Sequence, residues 1–427
     1  MTTGHASGRI ASLDQFRGIV VLSMFTVHYS GQIPLPFDRS AIWGHNNTFL
    51  SFADAVLPSF LFAAGFSLRL SMLHRIAARG RAAAYGHAVR RCLLLVLLLQ
   101  VLMFDRWWPR FRDVLGERGL TAALDVLAKG RLWESLSIIG LTSLWILPVV
   151  AASVHARTVF LVAGLVVHAV LCQLFYFDYL YGRPNWLDAW MGATGETGYE
   201  GGPLGVLTWA IPMIAGSLAY DVVVTNTPKR AARVLLTWSA ILLAVGYLLS
   251  CLGTFYPLAE PATTQEYELM KNGQVAASPV LPSFRADNNH VVPGLVLPPF
   301  IRPGPNEQRQ LNYWTPGKRV VTPSFAIMAT GYAAGLYALC VLLCDAGGMS
   351  WGLLRTFGQN PLAAYILHLF FLGGLVRTLF GMLDKRYPGL LRPEETLLGG
   401  LAYCLVWFGL TYGSVRILEK RGIYLRL

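Results

Sequence analysis

A histidine, two asparagines and an aspartate stand within ten residues of one another near the start of this chain, as His45-Asn46-Asn47 and then Asp54. An imidazole in a polar loop can take a proton from a hydroxyl or an amine, or attack a thioester as a nucleophile. Neighbouring amides, Asn46 or Asn47, could orient the ring or donate to a developing oxyanion. Asp54 could hold one tautomer of His45 and stabilise its imidazolium, as the acid of a hydrolase triad does. It could equally pair with an arginine of another segment, leaving His45 an exposed loop histidine. Pro58 has no N–H to offer the Asp54 carbonyl four residues earlier. A kinked helix carrying a free carbonyl and a carboxylate is therefore expected there.

Further polar groups interrupt apolar surroundings. His28 falls about three turns into the run that begins near residue 15. Such a group either lines a pathway or is met by a neighbouring helix. Asp14 and Arg17 are one turn apart, which suits an ion pair that anchors a helix end or a guanidinium that holds phosphate. Near the other end, Gly358-Gln359-Asn360-Pro361 reads as a helix stop followed by a capped start, with Asn360 as the cap. The N–H groups of that start would form an anion site, with Tyr365 and His368 following one turn apart.

The elements that carry these groups are membrane spans. The chain has 427 residues, 54% of them hydrophobic and only 14% charged, a balance foreign to soluble domains of this size. Ten apolar runs approach the length needed to cross a bilayer: 15–35, 50–70, 89–106, 133–153, 157–177, 203–222, 232–253, 324–344, 360–381 and 396–417. The expected fold is an all-α, polytopic integral membrane bundle forming a single domain. No cleavable leader is expected, since Asp14 and Arg17 open the first run.

Arg69, Arg75, Arg79, Arg81, Arg90 and Arg91 lie between the second and third runs with no acid among them. Arg157, Lys229, Arg230, Arg233, Arg416, Lys420, Arg421 and Arg426 fall on the same side if both termini are cytoplasmic, as the positive-inside bias requires. The net charge of +12 thus reports topology and contact with anionic lipids rather than nucleic acid. The six cysteines show neither metal-ligand nor disulfide spacing. The segment 254–323 holds eleven prolines and several aromatics, so an outer loop or cap is expected there.

Taken in order, four stretches resemble the heparan-α-glucosaminide N-acetyltransferase family of transmembrane acyltransferases. They are Ser12-Leu-Asp-Gln-Phe-Arg-Gly18; His45 with Ala53-Asp54…Pro58…Phe60…Phe62…Gly65…Ser67; Tyr313-Trp314…Arg319…Ser324 leading to Gly331-Tyr332; and Gly358-Gln-Asn-Pro361…Tyr365. The resemblance implies transfer of an acetyl group from cytosolic acetyl-CoA, as co-substrate and without a metal, to an acceptor across the membrane. It maps the family's key histidine to His45. His28 stands where the family has an assisting asparagine, and Asn46-Asn47-Thr48 replaces the family's Trp-Asn-Gly.

On this reading Arg17, Arg90 and Arg91 would hold the phosphates of acetyl-CoA, with Asp14, Asn360, Tyr365 and His368 beside the cofactor. Asp54 would orient His45, while His28 with Asn46 or Asn47 would supply polarity near the oxyanion. The expected acceptor is a hydroxyl or amine of an extracytoplasmic sugar or glycan, and the expected location a bacterial inner membrane. Membrane lipids are expected partners and nucleic acid is not, with a homodimer left open. Acyl-histidine and direct transfer both remain open. The rival readings are a proton-coupled transporter or flippase for a small anion or lipid-linked sugar, and a non-catalytic scaffold.

Overall fold

A computed structural model describes residues 10–34, 40–193, 196–256, 276–282, 295, 311–387, 389, 392–393 and 395–425. Among them helices dominate and no strand occurs. Eight helices are long and apolar enough to cross a membrane: Phe52–Arg79, Arg81–Leu102, Val154–Tyr181, Val206–Thr225, Pro228–Phe255, Pro323–Ala346, Pro361–Arg386 and Leu397–Lys420. Two further apolar runs are helical but fall outside that group. Ala11–Ser30 carries Asp14, Gln15, Arg17 and His28 in its 20 residues. Ser135–Val150 has 16 residues, about 24 Å of helix, which is short of a bilayer's hydrocarbon depth. Large apolar side chains remain exposed along several of the eight, including Leu97, Val101, Val166, Leu174, Leu398 and Leu405. Exposed apolar faces of this extent require lipid or a partner to cover them, the pattern of an integral membrane protein.

Two departures from the sequence reading concern connections. The basic stretch between the second and third runs is helical, broken only at Gly80, whose φ is 78°. Arg69, Arg75 and Arg79 therefore ride on the Phe52–Arg79 helix. After Leu102 the chain forms two amphipathic helices, Phe104–Arg118 and Leu120–Lys129, that hydropathy runs did not disclose. Of the proline-rich segment, Phe284, Phe300, Pro298, Pro299, Pro303 and Pro305 lie outside the described residues.

The chain divides into two compact units, one comprising Met1–Gly44, Val222–Leu236 and Gly335–Arg426, the other His45–Asp221 and Thr237–Ala334. In the second unit a core of Leu57, Leu61, Met72, Ile146, Met213 and Phe325 packs around Trp209. The Phe52–Arg79 and Val206–Thr225 helices cross at two glycines. A Cβ on Gly65 would strike the Met213 carbonyl, and one on Gly216 would strike the Phe62 carbonyl. This backbone-to-backbone approach fixes the helix that carries Asp54. In the first unit the same device joins the two ends of the sequence. Gly18 lies against the Leu354 carbonyl and Gly358 against the Asp14 carbonyl.

Candidate active site

Asp54 lies in the first turn of the Phe52–Arg79 helix. Ser51 is the N-cap, and its Oγ accepts the Asp54 N–H at 3.2 Å while donating to Asp54 Oδ2 at 3.0 Å. The Ser51 N–H donates to the same Oδ2 at 3.3 Å, closing a reciprocal capping box with aspartate in place of the usual glutamate. The helix continues through Pro58 to Arg79. A third donor, the Asn46 N–H, reaches Oδ2 at 3.2 Å, and Asp54 is wholly buried.

The other carboxylate oxygen serves the histidine, with His45 Nδ1 2.8 Å from Asp54 Oδ1. With an ionised carboxylate, which only accepts, a neutral imidazole in this contact carries its proton on Nδ1 and its lone pair on Nε2. The His45 side chain is 49% exposed, so one edge of the ring is anchored in the protein and the rest is accessible. This division suits a general base or nucleophile.

Sequence reasoning missed two residues of this cluster. Lys318 Nζ lies 3.2 Å from His45 Nδ1 and 3.5 Å from Nε2, against the edge of the ring. It is buried, and its charge is matched by Glu200 Oε1 at 2.7 Å. Lys318 is delivered by a loop tied to itself. Asn312 Oδ1 accepts the N–H groups of Trp314 and Thr315, each at 2.9 Å. Gly317 N–H donates to Thr322 Oγ1 at 3.0 Å, and that hydroxyl donates to the Thr315 carbonyl at 3.0 Å. The next residue, Arg319, donates its N–H to Asn47 Oδ1 at 3.0 Å. Asn47, expected to face an oxyanion, thus spends its side-chain oxygen tethering the Lys318 loop to the His45 loop. The half-buried Arg319 guanidinium lies over the Tyr181 ring, 5.3 Å from its centroid, and desolvation lowers its pKa. The sequence signal for this loop was the Tyr313-Trp314…Arg319 stretch, which marked the place but not the lysine.

The remaining expected residues sort by unit. Arg90 and Arg91 lie on the Arg81–Leu102 helix, and their charges bear on His87 together with those of Arg75 and Arg79. A cleft of about 330 Å³ lined by Ser71, His74, Arg75, Ala78 and Arg79 lies in the same unit. Asp54 and Arg75 stand on one continuous helix, roughly 30 Å apart at 1.5 Å per residue. One molecule touching both would have to reach across the depth of a hydrocarbon core.

In the first unit, Arg17 Nη1 is 3.7 Å from Asp14 Oδ1, the helix-anchoring pair. Ser12 N–H donates to Asp345 Oδ1 at 3.1 Å, and Gln15 Nε2 to the Trp351 carbonyl at 3.2 Å, so the first motif fastens its helix. Asn360 occupies the N-cap position of Pro361–Ile366 but makes no cap bond with its side chain. Instead its amide donates to the Ile423 carbonyl at 3.0 Å and accepts the Leu425 N–H at 3.1 Å. Gly358 lies inside the Gly352–Gln359 helix rather than ending it. His368 is fully buried between Phe25 and Trp407, with both ring centroids at 4.1 Å, and stacks on His28 at 5.3 Å. Tyr365 is buried as well.

Among the described residues no group of three or more His, Cys, Asp or Glu side chains is arranged to hold a metal ion. No protein-family model matches the sequence, and no curated protein matches it.

Proposed function

We propose that this chain is a membrane-embedded acyltransferase that moves an acetyl group from acetyl-CoA to a hydroxyl or amine. The observation that carries the reading is the His45–Asp54 pair. The carboxylate is buried and bonded on both oxygens, and the imidazole it holds is half exposed. In the direct route Nε2 takes the acceptor's proton as the acceptor oxygen or nitrogen bonds to the acetyl carbon. The carbon–sulfur bond then breaks, and the proton passes to the departing CoA thiolate. In the two-step route Nε2 bonds to the acetyl carbon as the carbon–sulfur bond breaks and CoA leaves as its thiolate; the acceptor then bonds to that carbon, the bond to Nε2 breaks, and the acceptor's proton passes through Nε2 to solvent. Both routes need an imidazole locked in the Nδ1–H tautomer, which Asp54 supplies. Both place negative charge on the acetyl oxygen, which the Lys318 ammonium beside the ring would stabilise.

The resemblance of the four motifs to the heparan-α-glucosaminide N-acetyltransferase family supports the same reading. So does the meeting of Ser12–Gly18 with Gly358 at a glycine crossing. We further propose ten spans with both termini cytoplasmic, since the basic residues then share one face. The His45 loop then faces outward, toward a sugar or glycan of a bacterial envelope. Arg90 and Arg91 belong to the cytoplasmic end, where anionic lipid or an entering cofactor meets them.

The test is purified protein in detergent with acetyl-CoA, CoA or ATP, beside a His45→Ala variant, followed by thermal shift, calorimetry and CoA release. Saturable stabilisation by acetyl-CoA but not ATP, with CoA release lost in the variant, is the expected result. Acetylation of the wild-type protein at His45 would select the two-step route. A folded protein that neither binds nor consumes acetyl-CoA would overturn the reading and favour transport.

A further inference from the structure

An amine next to a nitrogen that handles acetyl groups is a hazard to the protein that carries it. Lys318 Nζ lies 3.5 Å from His45 Nε2. An acetyl carbon bonded to Nε2 stands one bond length from that nitrogen, and so beside the amine. Lysine amines are natural acetyl acceptors, and the amide formed is more stable than an acyl-imidazole or a thioester. A neutral Lys318 would therefore capture the acetyl group for good. The ammonium form has no lone pair and cannot attack.

The counter-ion of that ammonium is Glu200, whose Oε1 is 2.7 Å from Nζ with both side chains more than nine-tenths buried. Among the described residues no hydrogen bond reaches the other oxygen, Oε2, so the carboxylate is given over to the lysine. Asp54, the second carboxylate of the cluster, is engaged by Ser51, Asn46 and His45. An opposite charge at this distance, away from water, favours the charged form of an amine. The backbone is strained to bring the pair together. Glu200 has φ 42° and Val321, three residues beyond Lys318, has φ 58°, the two non-glycine positions with positive φ among the described residues. Such strain persists only where the surroundings over-determine it. Trp209 Nε1 donates to the Glu200 carbonyl at 3.0 Å, and the Gly201 N–H donates to the Arg319 carbonyl at 2.8 Å. A Cβ on Gly201 would strike the Val321 side chain. The turn that carries Glu200 is thereby pinned to the loop that carries Lys318.

We propose that Lys318 is a latent acetylation site of this protein, and that Glu200 prevents its self-acetylation by holding it as an ammonium beside His45. The assignment rests on the acyl-transfer reading of His45. In the step held in check, the Nζ lone pair bonds to the acetyl carbon. The bond from that carbon to His45 Nε2, or to the CoA sulfur, breaks. The proton that Nζ sheds passes to Nε2 or to the CoA thiolate, and Lys318 is left as a neutral amide. Glu200 is thus a positioning residue that acts through Lys318.

The test incubates detergent-purified protein with acetyl-CoA and no acceptor, then maps acetylated lysines by peptide mass spectrometry. The exposed Lys229, Lys385 and Lys420 report uncatalysed acetylation in the same sample. Wild-type Lys318 is expected to acquire no more label than they do. Glu200→Gln keeps a hydrogen-bond acceptor but removes the charge. It should acetylate Lys318 roughly 10- to 100-fold faster than wild type, the factor carried by one hydrogen bond to a charged group, with CoA release that stops as the lysine is spent. Glu200→Asp keeps the charge with a shorter reach, and should give an intermediate rate even if the Gln variant fails to fold. Adding His45→Ala to Glu200→Gln should return Lys318 to the level of the exposed lysines. A wild-type Lys318 labelled as fast as in the variants, variants that leave Lys318 unlabelled, or labelling that survives the loss of His45 would overturn the assignment. Acyl transfer would still stand on His45-dependent CoA release by the wild-type protein, and absence of that release would remove both.

Discussion

Two carboxylates in the second unit, the wholly buried Asp54 and the half-buried Asp221, have been given opposite surroundings. Asp54 is met by a serine, two backbone N–H groups and an imidazole. Asp221 is met by Arg69 Nε at 3.1 Å and by Arg157. Arg69 also donates through Nη1 to the carbonyls of Val150 and Ala152 at 2.7 and 3.0 Å, and Arg157 to Ser217 at 2.8 Å. Guanidinium groups keep their protons at any physiological pH. The Asp221 cluster can therefore bind helices together but cannot pass a proton. The Asp54 cluster contains histidine, lysine and glutamate, and its imidazole is partly open to solvent. Buried charge alone does not mark a reactive site in this molecule. What separates the two clusters is a group able to exchange a proton, set where another molecule can reach it.

Substitutions should separate the two clusters cleanly. The largest effect is expected for Asp54→Asn, which can still cap the helix but no longer enforces the Nδ1–H tautomer. Acetyl transfer should fall by roughly 10³- to 10⁴-fold in kcat, while the thermal unfolding midpoint moves by only a few degrees. Collapse of the fold in this variant would mean that Asp54 is chiefly structural. Next comes Asp221→Ala, which leaves two buried guanidinium groups without their counter-ion and should cost about 3 kcal/mol of stability. Here the unfolding midpoint drops while turnover per folded molecule is retained. A specific loss of turnover would erase the distinction drawn between the clusters. The smallest effect is expected for Val321→Gly, where relief of a left-handed backbone (φ 58°) offsets most of the cost of removing a fully buried core side chain, leaving stability lower by about 1 kcal/mol. Unfolding of purified protein reads it directly, and a higher midpoint would show that the strain outweighs the valine side chain.

Much of the architecture was legible because apolar length is a local property. Every one of the ten runs falls on a helix, and eight of those helices have the length and hydropathy to cross a membrane. The pairing of His45 with Asp54 was also within reach, since nine residues and one cap separate them. Lys318 was not, because 273 residues intervene and a lysine in a proline-rich loop reads as solvated. Glu200 was not legible either, because its burial against Lys318 is set by packing. Arg157 was taken for a span-end charge, and it is fully buried against Asp221. Burial and distant pairing depend on how helices pack, which no window of sequence contains. Asn360 shows the same limit: its spacing before Pro361 fits a cap, yet a distant backbone segment outcompetes the local N–H groups for its amide.

The capping box at Ser51 and Asp54 has a bearing on assembly in time. One carboxylate both completes the first turn of the Phe52–Arg79 helix and grips the imidazole. Until that turn has formed, Asp54 is a hydrated side chain on a disordered stretch and His45 can settle in either tautomer. On the proposed acyl-transfer reading, maturation of the helix and arming of the histidine are one event, and a chain still emerging into the membrane carries the sequence of the site without its reactivity.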